Sequence, residues 1–224
     1  MHFYVLGALM LIPSVRKIHN HHSSKVISHI YSFKINSLIT CESTLERDWL
    51  LHLEANPDVQ RIVSQPIQFR VYHENKWRRY TPDFLVEWSP KLGELPTIYE
   101  VKPYEIASTA DWDSYFKSIR ELLLGLGYRF EVVTERQIRT EPTLGNLKML
   151  RLYASEFISK QERQEISLAV GNVSACSIHH LVELLGRSAL AGIYRMLWDG
   201  ELRYERSCKL SMATNLWVPE GGVR

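Results

Sequence analysis

A chain of 224 residues, 45% of them apolar, can bury a folded core and has room for one medium domain with a smaller companion. A net charge of +2 and a pI of about 8.4 exclude a uniformly basic nucleic-acid glove and leave only local basic faces. Three cysteines, Cys41, Cys176 and Cys208, odd in number and widely spaced, fit neither a disulfide framework nor a paired zinc knuckle, which makes a reducing cytosol the simplest setting.

The opening MHFYVLGALMLIP has no Lys or Arg before its apolar run, no small-residue cleavage site after it, and too little length to span a bilayer. It reads as a packed arm. His19, His21, His22 and His29 lack the helical pairing and acidic neighbours of a metal site and read as a solvated loop. From Lys25 to Thr40, β-branched and aromatic residues predict extended structure. CESTLERDWLLHLEANPDV then predicts a short amphipathic helix: Ser43 or Thr44 as N-cap, Leu45, Trp49, Leu50 and Leu53 at helical spacing, Asn56-Pro57 as the stop.

Two strands follow, IQFRVY and WRRYTPDFLVEW, joined by a polar HENK turn, with Pro82 marking an edge or an irregular spot in the second. TIYEVKP is a third strand, DWDSYFKSIRELLLGLG a helix ended by glycine, and YRFEVVTE an apolar strand. That order predicts an α/β fold, a mixed sheet with helices outside it. Past Glu135 the texture turns helical, with a hinge at Glu141-Pro142. Two helices joined by a tight turn and followed by a hairpin predict a winged helix at the end of the chain. The expected division is 1–140 and 141–224.

Side chains two apart on a strand share a face, so Glu100 and Lys102 point one way while Val101 enters the core. With Asp83 on a neighbouring strand, two carboxylates and the Val101 carbonyl offer hard oxygen ligands suited to Mg²⁺. Lys102 then stands where an ammonium orients water and offsets charge growing on a phosphoryl group. Glu46 adds a third carboxylate from the preceding helix. Glu42 is its competitor; Glu46 is favoured because it lies inside the helix rather than at its cap. Taken singly, each of these residues is more often structural: a turn aspartate, a solvated edge pair, a first-turn glutamate.

Their order is what counts. Glu46, Pro82-Asp83 and Glu100-Val101-Lys102 resemble the PD-(D/E)xK nuclease signature, and ESTLERDWLLHLEANPDV, QPIQF, RRYTPDFLVEW and YEVKP resemble the TnsA subunit of heteromeric, Tn7-like transposases from Cys41 to Pro103. The resemblance implies a restriction-endonuclease-like domain joined to a winged-helix C-terminal domain. It implies a Mg²⁺-dependent endonuclease, with Mn²⁺ as a substitute, that cuts the 5′ ends of a transposon on the non-transferred strands. Its implied partners are double-stranded DNA at the transposon ends, a TnsB-type transposase and, through the C-terminal domain, a TnsC-type ATP-dependent regulator, in the bacterial cytosol and without a membrane. Carried over by position, Glu46, Asp83, Glu100 and Lys102 form the active-site set, with Gln65 of SQP a neighbour.

Lys76, Arg78 and Arg79, interleaved with Trp77 and Tyr80, read as a DNA-gripping stretch or a solvated hairpin. Arg187, Arg195, Arg203, Arg206 and Lys209 are a second candidate DNA face in the tail, where Tyr194, Leu197 and Trp198 read as core. The rival readings are a stand-alone nuclease of the same fold and a non-catalytic winged-helix assembly protein.

Overall fold

The computed structural model describes residues 26–171 and 176–219. The expectations for MHFYVLGALMLIP and for His19, His21 and His22 lie outside the described residues. His29 sits on a strand rather than in a loop, exposed and hydrogen-bonded to Thr40 Oγ1.

Strands β1 (Ser28–Ser32) and β2 (Ser37–Cys41) form the expected extended segment, folded into an antiparallel hairpin. Helix α1 (Thr44–Glu54) begins at Ser43, whose hydroxyl accepts from the Glu46 N–H, and ends at Ala55, just before Asn56-Pro57. The next stretch corrects the sequence reading. VQRIVS forms its own strand, β3 (Val59–Ser64), and WRRYTPDFLVEW is two strands, β5 (Lys76–Tyr80) and β6 (Phe84–Trp88), belonging to different sheets. Pro82 is the reason: it has no N–H to give a ladder, and it holds the chain while the backbone passes between sheets. β4 (Phe69–His73) pairs with β5 in a separate two-stranded hairpin.

The main sheet has the order β3-β6-β7-β8, with β7 (Thr97–Val101) and β8 (Arg129–Val133). β3, β6 and β7 run antiparallel, and β7 pairs parallel with β8 through the crossover of α2 (Tyr104–Ala107) and α3 (Ala110–Gly125). Alternation sorts its side chains onto two cores. Phe84, Val86, Tyr99 and Val101 pack with Leu45, Leu50 and Leu53 of α1. Leu85, Ile98 and Phe130 pack with Tyr115, Phe116, Ile119 and Leu123 of α3. This mixed sheet between helices is compatible with a restriction-endonuclease-like fold.

Helix α4 (Glu135–Ile138) leads to a cis Glu141-Pro142 bond, then α5 (Thr143–Arg151), α6 (Lys160–Gly171), β9 (Cys176–Ser177), α7 (Ile178–Leu185), α8 (Ala189–Asp199) and β10 (Asn215–Leu216). β9 pairs antiparallel with β10, and Arg203 bridges Trp217 next to them. A third core joins Leu144, Leu147 and Leu150 of α5, Ile178 and Leu181 of α7, and Ile193, Met196, Leu197 and Trp198 of α8; Leu51 and Ala55 of α1 belong to it too. Helix α8 ends at Gly200 with φ of 74°, and a Cβ there would lie 2.8 Å from Pro57 Cγ. Only glycine fits both the left-handed cap and this approach to the chain leaving α1. Among the described residues, no helix is long and apolar enough to cross a membrane.

Candidate active site

The site gathers where β6 begins and β7 ends. Register Phe84↔Tyr99 places Asp83 one step further, opposite Glu100. Two main-chain bonds fix it there: the Asp83 N–H donates to the Tyr99 carbonyl (3.1 Å), and the Val101 N–H donates to Asp83 Oδ2 (2.7 Å). Asp83 is therefore not inside a strand, as the sequence reading had it, but in the link that follows Pro82. That leaves its carboxylate free to turn toward β7.

Glu100 is 3% exposed. Its Oε1 meets Lys102 Nζ at 2.7 Å, and its Oε2 accepts from the Tyr80 hydroxyl at 2.6 Å. Tyr80 ends β5, so the hairpin is tied to this carboxylate. Sequence reasoning placed Tyr80 only among the basic and aromatic residues; its even offset from Val71 and Phe69 across the hairpin register is the signal that it turns inward. Lys102 Nζ also lies 5.6 Å from the centre of the Trp112 ring on α3.

Glu46 faces the same cleft from α1. Its Oε2 accepts from the Glu42 N–H (2.7 Å) and its Oε1 from the Ser43 hydroxyl (2.9 Å), while Ser43 Oγ accepts from the Glu46 N–H. Ser43 caps the helix and Glu46 reaches back past it to the Glu42 N–H, so the contacts that close the helix start also hold the Glu46 carboxylate. Glu42 lines the cleft beside it and accepts from Gln65 Nε2 at 2.6 Å. Gln65, at φ of 45°, donates its N–H to the Asp83 carbonyl. Its amide nitrogen is committed to Glu42, which leaves the buried Oε1 with no partner among the described residues. The cleft itself holds about 680 Å³ and is lined by Glu42, Glu46, Val101, Lys102, Trp112 and Arg139.

Electrostatics bind these groups into one unit. Burial, then the charges of Glu100 and Glu46, hold the Asp83 carboxyl well above its ordinary range, against the pull of Lys102. Burial also raises Glu46, opposed by its cap hydrogen bonds. Burial pulls Lys102 down, but Glu100 and Asp83 outweigh it and leave the ammonium more firmly protonated than usual. Burial, then Glu46 and Asp83, push the Cys41 thiol up to about 12.

No three His, Cys, Asp or Glu side chains form a ready-made ligand group among the described residues. The donor set nevertheless fits a hard divalent cation. It is all oxygen, its carboxylates repel one another when charged, and Mg²⁺ needs only one or two carboxylates because it keeps several waters.

Lys76, Arg78 and Arg79 lie on β5, all exposed, but they do not form one patch. Arg78 turns to α3, over the Tyr115 ring and 2.6 Å from Glu74, whereas Arg79 faces the other side. In the tail, Arg195 is drawn into an ion pair with Asp199 (2.8 Å), and Arg187, Arg206 and Lys209 are exposed. Leu197 and Trp198 are core, as expected.

No curated protein matches the chain. Residues 56–135, from the end of α1 to the start of α4, match the family model of the TnsA-like endonuclease N-terminal domain. Gln65, Asp83, Glu100 and Lys102 fall within that span and Glu46 precedes it, so the stretch that holds most of the candidate site is similar to the TnsA-like endonuclease N-terminal domain.

Proposed function

We propose that this protein is the Mg²⁺-dependent endonuclease subunit of a Tn7-like transposase, cutting the 5′ ends of the element on the non-transferred strands. One observation carries the reading. Within a TnsA-like domain, Asp83 and Glu100 stand across one register step with Lys102 bonded to Glu100, at the edge of an open cleft.

Asp83, Glu100 and the Val101 carbonyl, with Glu46 behind them, are the groups that would hold the ion. Once bound, it supplies charge neutralisation at the phosphate and a more acidic water. The chain's own groups do the rest. The Val101 N–H and the Tyr80 hydroxyl each fix one oxygen of Asp83 and Glu100, so the carboxylates stay aimed without rearrangement. Lys102, held protonated by its acidic neighbours, presents positive charge where the phosphoryl oxygens gain negative charge. Gln65 steadies Asp83 through the main chain. Lys76, Arg78 and Arg79 on the hairpin are proposed DNA contacts.

Residues 141–224 are read as a winged helix that meets the TnsB-type transposase and the TnsC-type regulator. The order α6, β9, α7, α8 and a closing ladder of β10 with Arg203 and Trp217 supports this. The test is strand-specific cleavage of transposon ends with the partner transposase and Mg²⁺. Wild type should release 5′ ends, Mn²⁺ should substitute, and Asp83→Ala and Lys102→Ala should each lose at least a hundredfold. Unchanged cutting by both variants would refute the reading.

A further inference from the structure

The β4–β5 hairpin carries charge out of proportion to its size. Phe69–Tyr80 contains Arg70, Lys76, Arg78 and Arg79 against Glu74 alone, a local excess larger than the +2 of the whole chain. The register Arg70↔Arg79 and Tyr72↔Trp77 gives the hairpin two different faces. Val71, His73 and Tyr80 turn inward and are buried. Arg70, Tyr72, Trp77 and Arg79 share the outer face, where Tyr72 is 54% and Trp77 60% exposed and their rings lie 5.3 Å apart.

Two arginines directly opposite each other repel, a pairing that costs stability in a sheet unless an anion sits between them. Arg78 has Glu74, but neither Arg70 nor Arg79 has an acidic partner among the described residues. The aromatic pair beside them offers flat surface of the kind that rests against sugar and base edges. Position supplies the last link. Tyr80, next to Arg79, donates to Glu100, and the four residue steps back to Lys76 run about 13 Å outward from that carboxylate.

We propose that the outer face of this hairpin grips the phosphate backbone of duplex DNA beside the scissile bond, with Arg70 and Arg79 on adjacent phosphates and Tyr72 and Trp77 against the sugars. This rests on the nuclease reading above, and it adds Arg70 and Tyr72, which the linear run from Lys76 to Tyr80 does not reveal, and sets Trp77 with them on one face.

The test is fluorescence anisotropy of the full chain on a labelled duplex, with EDTA to prevent cutting, across a KCl series. Two lost phosphate contacts should flatten the slope of log K against log[salt] by about 1.8. Arg70→Ala/Arg79→Ala should thus lose about twelvefold less affinity than wild type between roughly 50 and 200 mM salt, while binding more weakly at the low end. Trp77→Ala should weaken binding about fivefold at every salt concentration and leave the slope alone, since it removes no charge. Arg61→Ala, on β3 and near Glu87, should leave the slope as it is. A double variant with the wild-type slope overturns the hairpin grip and leaves the nuclease reading standing, because cleavage is scored separately. Loss of binding to a partner protein with unchanged DNA binding assigns the face to an acidic protein and also overturns it. A wild type with no salt-dependent duplex binding overturns both.

Discussion

Tyr80→Phe isolates the link between hairpin and carboxylate. The substitution removes one hydroxyl and keeps the ring, whose contacts with Phe69 and Phe130 at 5.3 and 6.3 Å do not depend on it. Glu100, 3% exposed, would keep Lys102 on Oε1 and lose its partner on Oε2. A hydrogen bond to a charged acceptor contributes about 1.5–3 kcal/mol, and Glu100 has little surface on which solvent could replace it. The expected loss is therefore about 2 kcal/mol. In a chain of this length that lowers Tm by roughly 4–8 °C. Burial, then the Glu100 charge, push the Tyr80 phenol well above its ordinary range, so the donor is intact throughout the working pH range. Urea unfolding in EDTA should show the loss as a lower midpoint with an unchanged slope. Cleavage should fall about 10–100-fold, the usual effect of freeing a group that positions a ligand. A stability change under about 0.5 kcal/mol, with cleavage intact, would show that this hydrogen bond does not orient Glu100.

Three further outcomes follow from other parts of the molecule. Burial, reinforced by the Arg206 charge, holds His52 below its ordinary value of 6.5, although the Ile138 carbonyl favours the charged form. Below pH 6.5 the unfolded chain binds a proton that the native state refuses, so stability falls with pH and levels off below the native value; urea midpoints at a series of pH values should fall less steeply for His52→Gln. Cys41 and Cys176 are buried and Cys208 is exposed, so a native thiol titration near neutral pH should find one fast equivalent, rising to three on unfolding; a second fast thiol would contradict the burial of Cys41 at the end of β2 or of Cys176 in β9. Arg139→Ala should cost about 2–3 kcal/mol, less than a fully stranded buried carboxylate, because Asp48 keeps Arg47 at 3.2 Å and Lys148 at 4.0 Å; in a double-mutant cycle, Asp48→Asn should remove most of that cost.

What the sequence made legible follows from locality. The α1 boundaries were readable because Ser43, Glu46 and Asn56-Pro57 act within a turn of where they stand. Glu100 and Lys102 share a face because period two is a property of any strand. What stayed hidden depends on pairing between distant segments. WRRYTPDFLVEW reads as one strand since nothing local says that Tyr80 and Phe84 belong to different sheets; only their partners, Phe69 for one and Tyr99 for the other, separate them. Arg70 escaped notice for the same reason, being isolated in IQFRVY until the register sets it against Arg79. VQRIVS went unassigned because its polar residues break the alternation, although β3 gains an edge position on β6. Tyr80 was legible as an aromatic residue but not as a hydrogen-bond donor to a group twenty residues on.

Helix α1 belongs to two cores at once, and this bears on how the site is held. Leu45, Leu50 and Leu53 pack on the main sheet, while Leu51 and Ala55 pack among α5, α7 and α8. On the same helix, Asp48 receives Arg139 Nε at 2.9 Å and lies 4.0 Å from Lys148 of α5, and Arg139 also donates to Thr44 Oγ1 at the helix start. Among the described residues, none beyond Arg139 lines the cleft, yet the helix end that presents Glu46 is seated by contacts from beyond it. A helix of eleven residues is marginal alone, so its orientation comes from what it packs against on both sides. The C-terminal helices therefore act on the candidate site through packing rather than through contact. A shift of α5 or α8 is thereby passed, through α1, to the helix start where Ser43 and the Glu42 N–H hold Glu46.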